Sequence, residues 1–148
     1  MDGAGIDNND LEPERRYARG YVSDGTGGLK LADAADWSAL KGKASLFATT
    51  RDELRFVDLL FGDGLLTQES RAAMFGAAPA GFGYGWYRGS DNALGGRFYF
   101  MNGRNGGFSA FVMRIPSRDA TVILLGNIDS PATAEIGRDI AALLFAKP

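Results

Sequence analysis

Ser38-Ala39-Leu40-Lys41 is the first spacing in this chain that could do chemistry. On a helix, a lysine one turn after a serine stands beside the hydroxyl and lowers the barrier to its deprotonation, as an acyl-transfer nucleophile requires. The residues that follow, GKASLFATT, do not read as the long buried helix such a serine would open. Asp52, Glu53 and Asp58 fall on one expected helix, where paired carboxylates could share acid–base work. A solvated face, with Asp52 and Glu53 beside the positive helix N-terminus, is the plainer account. Phe82, Tyr84, Trp86 and Tyr87 could stack on a ligand, although packing against a sheet is the commoner role for strand aromatics. Arg114 and Arg118 flank a turn and read as solubilising charges. Gly103, Gly106 and Gly107 would let a ligand approach a strand edge closely; an ordinary glycine-rich hairpin turn is the alternative.

Composition removes several chemistries. The chain has 148 residues and contains no histidine and no cysteine. A Ser-His-Asp triad, a histidine-ligated zinc and a thiolate nucleophile are therefore impossible within it. Neither a metal nor an organic cofactor is expected. The net charge of -2, with both signs scattered, gives no support for nucleic acid or an anionic membrane as a partner. No apolar run is long enough to span a bilayer. The start, MDGAGIDNNDLEPERR, is polar and acidic, unlike a signal peptide, and residues 1–15 read as a mobile leading segment ahead of one domain over 16–148. Taken as complete, such a chain would be expected in the cytoplasm.

The elements that must position these residues follow from patterning. RYARGYV and GLKLA flank SDGTGG and suggest a hairpin from Arg16 to Ala32. Residues 33–43 lack a period and read as loop. TTRDELRFVDLLFGDG predicts a helix with Thr50 and Glu53 as a capping box, Leu54, Val57, Leu60 and Phe61 on one face, and Gly62 at its end. A second helix is expected from Gln68 to Phe75 after Thr67, and GAAPAGFG breaks the pattern. Strands are expected over 82–89, 97–102, 107–115 and 120–127. The last two are apolar on both faces, so both faces of their sheet must be covered. Ser130 and Pro131 open a final helix whose stripe of Ile136, Ile140, Leu143 and Leu144 is expected to lie on the sheet. The fold class is α+β: an antiparallel meander with a C-terminal helix on it and two short helices in the N-terminal half.

The ordered set ARGYV, SLFATTRDELRFVDLLFGDGLLTQES, FGYGW and NGRNGGFSAFVMRIPSRDATVILLGN, closed by the last helix, resembles the C-terminal part of the serine β-lactamase and penicillin-binding-protein superfamily, in particular its class C-like and esterase-like branch. That resemblance implies acyl transfer on amide or ester bonds by a serine nucleophile. Three motifs carry the chemistry: Ser-x-x-Lys, Tyr-x-Asn or Ser-x-Asn, and a Lys-Thr-Gly or His-x-Gly strand. The first two are expected ahead of everything that resembles this chain. The third falls on Met101, Asn102 and Gly103, which the resemblance makes substrate-binding. Gly103 matches; Met101 stands where a lysine or histidine is usual and carries neither charge nor proton. Arg104 stands where the strand offers a backbone N–H to the oxyanion, a role independent of the side chain. Ser90-Asp91-Asn92 also fits the second pattern but sits in an expected turn.

The resemblance thus implies a portion of a serine hydrolase without its nucleophile. The alternative is a non-catalytic binding or regulatory module that kept the fold and lost the chemistry, and Met101 favours it. The expected ligand is a small molecule or peptide. In the resembled fold the strand over 120–127 pairs with a strand of an N-terminal segment whose helix covers one sheet face; without them a homodimer or a separately supplied N-terminal segment is the expected partner, ahead of the Arg16 to Ala32 hairpin folding onto the gap.

Overall fold

A computed structural model describes residues 3–9, 17–76 and 81–145. Its centre is a five-stranded antiparallel sheet whose spatial order is its chain order: β5 (Phe82–Gly83), β6 (Trp86–Asp91), β7 (Gly96–Asn105), β8 (Phe108–Ile115) and β9 (Ala120–Gly126). Ahead of them run β1 (Gly5–Ile6), β2 (Tyr21–Ser23), β3 (Leu29–Leu31) and β4 (Leu46–Phe47), then helices α1 (Thr50–Phe61) and α2 (Gln68–Phe75); α3 (Ala132–Phe145) follows β9. The class is α+β, as the patterning requires.

The doubly apolar strands are covered on both faces. On one side Val112 joins Val57 and Leu60 of α1, Phe75 of α2, Trp86 and Tyr99, with Met101 and Ile123 packed against them. On the other, Phe111, Met113, Ile115 and Val122 join Leu94 and Ala141 of α3. The expectation that one face lacks a helix is therefore corrected: α1 and α2 supply the cover. Phe111 and Ile115 are fully buried, and each such side chain stabilises the fold by roughly 2–3 kcal/mol through removal from water.

The last helix lies on the sheet by a different face from the one its stripe suggests. Thr133, Gly137 and Ala141 are its buried residues. A Cβ built on Gly137 would stand 2.2 Å from the Phe111 ring, so the helix seats where it has the least side chain and the ring fills the gap. Ile136, Ile140, Leu143 and Leu144 face outward, with Leu143 77% exposed. Close approach of a small-residue face to a large aromatic wins over burial of the bulkier stripe.

Other elements are shifted in detail. The helix α1 is capped one residue earlier than its pattern implies: Thr49 is the N-cap and Asp52, not Glu53, closes the capping box. Leu54, placed on the packing face by its spacing, is exposed, and Glu53 is buried in its stead. The expected strand over 82–89 is a hairpin, folded at Gly85 with a φ of 88°. Residues 33–43 hold one 3-10 turn at Trp37–Leu40. The Tyr21 to Leu31 hairpin forms as its turn chemistry predicts, while Arg16 lies outside the described residues, as do 77–80 of the breaker segment. Gly5 and Ile6, within the segment read as mobile, pair with Phe47 and Leu46.

The elbow between β8 and β9 is a 3-10 turn over Pro116–Arg118 closed by Asp119 in the left-handed region at φ 46°. Arg114 reaches Thr121 Oγ1 at 3.2 Å and pairs with Asp119. Arg118 lies over the Phe145 ring at 5.4 Å. These two arginines fasten the turn to its strands and to α3, a correction to their reading as solubilising charges.

Candidate functional site

The backbone of β7 sets the site. Gly96 to Phe100 pair with β6, the ladder to β8 runs from Tyr99↔Arg114 to Asn105↔Phe108, and from Met101 onward β7 pairs with β8 alone. Gly106 and Gly107 form the two-residue turn between β7 and β8, both with positive φ. A turn of that kind closes on a hydrogen-bonded pair, here Asn105 with Phe108, and pairing alternates along the ladder. Asn102 and Arg104 therefore direct their N–H and C=O groups away from β8, towards the side that β6 no longer occupies. Gly103 lies between them, and a Cβ built on it would meet nothing within 4 Å.

Beside this edge is a groove of about 250 Å³. Asn102, Gly103 and Arg104 form one wall; Ser130, Glu135 and Arg138, at the start of α3, form the other. Its floor holds Ser109, whose Oγ donates to the Ile128 carbonyl at 2.8 Å and lies 2.6 Å from Thr133 Oγ1. The Ser109–Thr133 bond ties β8 to α3, and the Ser130 hydroxyl accepts the Ala132 N–H at 3.2 Å. Arg104 is drawn towards Asp129, 3.5 Å away. The groove lies on the α3 face, where the side chains of Asn102 and Arg104 stand near Ser109, Thr133, Glu135 and Arg138, while the free N–H groups of Asn102 and Arg104 point along the sheet, away from β8.

Of the residues expected in the site, Asn102, Gly103 and Arg104 share the groove; Met101 does not. Its side chain packs on the α1 face with the Val57, Leu60 and Tyr99 cluster. Ser38 and Lys41 belong to the 3-10 turn region, and the Ser38 hydroxyl donates to Asp36 at 2.6 Å. That bond, with a neighbouring contribution from Asn9, holds the Asp36 carboxyl below its ordinary value and commits Ser38 to a local cap. The adjacent Trp37 packs edge-on against Phe108 at the β7–β8 turn. Ser90 pairs with Arg97 at the other end of β7, roughly 20 Å along the strand from Gly103.

The carboxylates split by environment. Asp52 accepts from the Thr49 hydroxyl at 2.7 Å, the chief cause of its lowered pKa. Glu53 is pushed up, first by burial and then by the neighbouring Asp52 charge, and among the described residues its buried Oε2 has no hydrogen-bond partner. Neither lines the groove. Phe82, Tyr87 and Phe100 stack along β5 to β7 at ring separations of 4.6 and 5.1 Å, while Trp86 is buried with Phe61 and Phe75. Tyr84 is at the exposed hairpin tip. Among the described residues no Asp or Glu cluster could hold a metal ion, and no helix is long and apolar enough to cross a membrane.

Sequence reasoning missed Ser109, Thr133, Glu135 and Arg138. Ser109 interrupts an otherwise apolar run, a signal that a buried hydroxyl there needs a partner. Nothing local to α3 tells that Arg138 turns towards β7.

A family model described as Beta-lactamase matches residues 7–147. No curated protein and no solved structure matches the chain.

Proposed function

Because the chain belongs to the β-lactamase family, we propose that it provides the sheet-and-helix portion of an acyl-transfer site, in which the open edge of β7 receives the carbonyl of an amide or ester. In this reading the Arg104 N–H is the oxyanion donor, and Asn102 and Gly103 bind the substrate backbone. A donor fixed in a strand needs no reorganisation as charge develops on the oxygen. The observation that carries the reading is the unpaired stretch of β7 with Gly103 facing open space. In this reading Ser38, whose hydroxyl donates to Asp36, is no nucleophile, and the chain binds without turning over.

Two measurements test it. Incubated alone with chromogenic β-lactams or short-chain p-nitrophenyl esters, the chain should give no hydrolysis above buffer. Turnover lost in Ser38→Ala would overturn the assignment and make Ser38 a nucleophile. A non-hydrolysable acyl ligand should perturb the Asn102 and Arg104 amide resonances, and Gly103→Val should weaken that binding while leaving the melt unchanged. Equal binding by the variant would remove the strand edge from the site.

A second reading is favoured by Met101. Its side chain is part of the core on the α1 face, so the position that would carry a charge in the family carries packing here. A non-catalytic module, binding a small molecule or peptide in the same groove, fits that substitution. It is distinguished by whether an added N-terminal segment bearing the serine and lysine motif restores hydrolysis: restoration supports the acyl-transfer portion, binding without restoration the module.

A further inference from the structure

We propose that the aromatic face formed by Phe82, Tyr87 and Phe100 is a second subsite of the groove, and that it takes a flat, uncharged aryl group on the acyl side of the ligand. The inference rests on the reading of the β7 edge given above and names the class of acyl group that edge receives. Register brings the three residues together. Phe82 pairs with Tyr87 across β5 and β6, and Tyr87 pairs with Phe100 across β6 and β7. Residues directly opposite each other on neighbouring strands project to the same face of the sheet. The rings follow one another at centroid separations of 4.6 and 5.1 Å, and those of Tyr87 and Phe100 lie within 21° of parallel.

This face is continuous with the groove. Phe100 pairs with Met113, which is buried on the α3 side, so the ladder runs over the same face of the sheet as the groove. Asn102 is the next residue of β7 on that face, about 7 Å along the strand from Phe100, and it lines the groove wall. In the other direction the ladder is closed by the chain itself. A Cβ built on Gly89 would stand 2.3 Å from the Phe98 ring, so that ring already covers the next position of β6. Phe82 and Tyr87 nevertheless remain 44% and 43% exposed, with large apolar rings held in water. They lie across β5 to β7, away from the β9 edge where the resembled fold places its N-terminal strand.

The chemistry of the ladder selects its ligand. From Phe82 through Tyr87 and Phe100 to Asn102 there is no charged side chain on this face. Two half-exposed rings in a row offer planar apolar area and one hydroxyl. An aryl group stacks on such rings and gains more than its buried area alone provides, whereas a small alkyl group covers little of them. The step of about 7 Å from Phe100 to Asn102 suits a bicyclic aryl group joined to the ligand carbonyl through one methylene.

Titration of the chain with 2-naphthylacetyl-, cyclohexylacetyl- and acetyl-glycinamide, followed by amide resonances and by nuclear Overhauser effects between ligand and ring protons, tests the proposal. The naphthylacetyl compound should bind about tenfold more tightly than the acetyl compound, with the cyclohexylacetyl compound between them. Its naphthyl protons should contact the Phe82 and Tyr87 rings, and all three compounds should shift Asn102 and Arg104. Tyr87→Leu and Phe82→Leu change half-exposed rings and keep apolar cover on the sheet, so each should melt as a folded protein. Each should reduce the naphthylacetyl advantage severalfold and leave the acetyl affinity unchanged. Equal affinities for the naphthylacetyl and acetyl compounds, with Asn102 and Arg104 still shifting, would overturn the subsite and leave the reading of the edge standing. So would a naphthylacetyl advantage that both variants retain in full. No shift at Asn102 or Arg104 with any of the three compounds would instead remove the reading of the edge, and the subsite with it.

Discussion

Glu53 shows how little a residue's type says about its surroundings. Two adjacent acids in the first turn of α1 meet opposite fates: Asp52 is bonded by the Thr49 hydroxyl, Glu53 is buried with no partner for its Oε2 among the described residues. The signs of their pH dependence are opposite. Asp52, with a lowered folded pKa, contributes stability above its unfolded pKa that is lost as pH falls through the folded value. Glu53, with a raised folded pKa, is better tolerated when protonated, so stability declines as pH rises from its unfolded value through the folded one. Glu53→Leu should therefore stabilise the chain at neutral pH by roughly 1 kcal/mol, the cost of one unsatisfied buried acceptor. Its advantage should shrink at acidic pH. Thermal melts of both proteins at pH 4 and pH 7 measure this, and an advantage independent of pH would mean that packing alone is responsible. The sequence showed that an acid begins this helix. Which acid does so turned on whether Thr49 or Thr50 is the cap, and adjacent threonines give no local signal to separate them.

At the scale of elements, the strands were legible because their residues enforce them. β8 and β9 alternate between two apolar sets, and the registers Phe111↔Leu124 and Val112↔Ile123 satisfy both faces at once. Helix α2 was legible from Thr67 and from the apolar residues that follow. The orientation of α3 was not, because a stripe of isoleucine and leucine signals burial without saying against what. Gly137, unfavourable within a helix by propensity, was the informative residue: it marks the face that approaches Phe111. Gly137→Val should lift α3 from the sheet and cost about 2–3 kcal/mol, as overpacking does. Urea unfolding should show a lower midpoint, with loss of near-ultraviolet signal as the packed rings around Phe111 loosen. An unchanged midpoint would mean that the helix can slide without penalty. The groove was half legible for the same reason. Asn102, Gly103 and Arg104 on its β7 wall were named only through the resemblance, whereas its α3 wall depends on where the helix lands.

Across the whole molecule, the five-stranded sheet has its strands in space in the order in which they occur along the chain. Each pairing closes only a short loop: the β7–β8 turn has two residues and the β8–β9 elbow is the segment Pro116 to Asp119. The entropy of loop closure is correspondingly small at each step. The consequence is kinetic. A chain so connected can zip its sheet hairpin by hairpin without waiting for its ends to meet, and it should refold faster than sandwiches of similar size, whose strands pair across long separations. Stopped-flow refolding should give a single fast phase, with Gly107→Ala slowing it. That glycine has a φ of 84° at a turn where an added Cβ would also approach the Gly20 and Tyr21 backbone within 2.7 Å. Slowing by that substitution would place the β7–β8 turn in the folding nucleus; if only the unfolding rate rose, the sheet would have to nucleate at another hairpin.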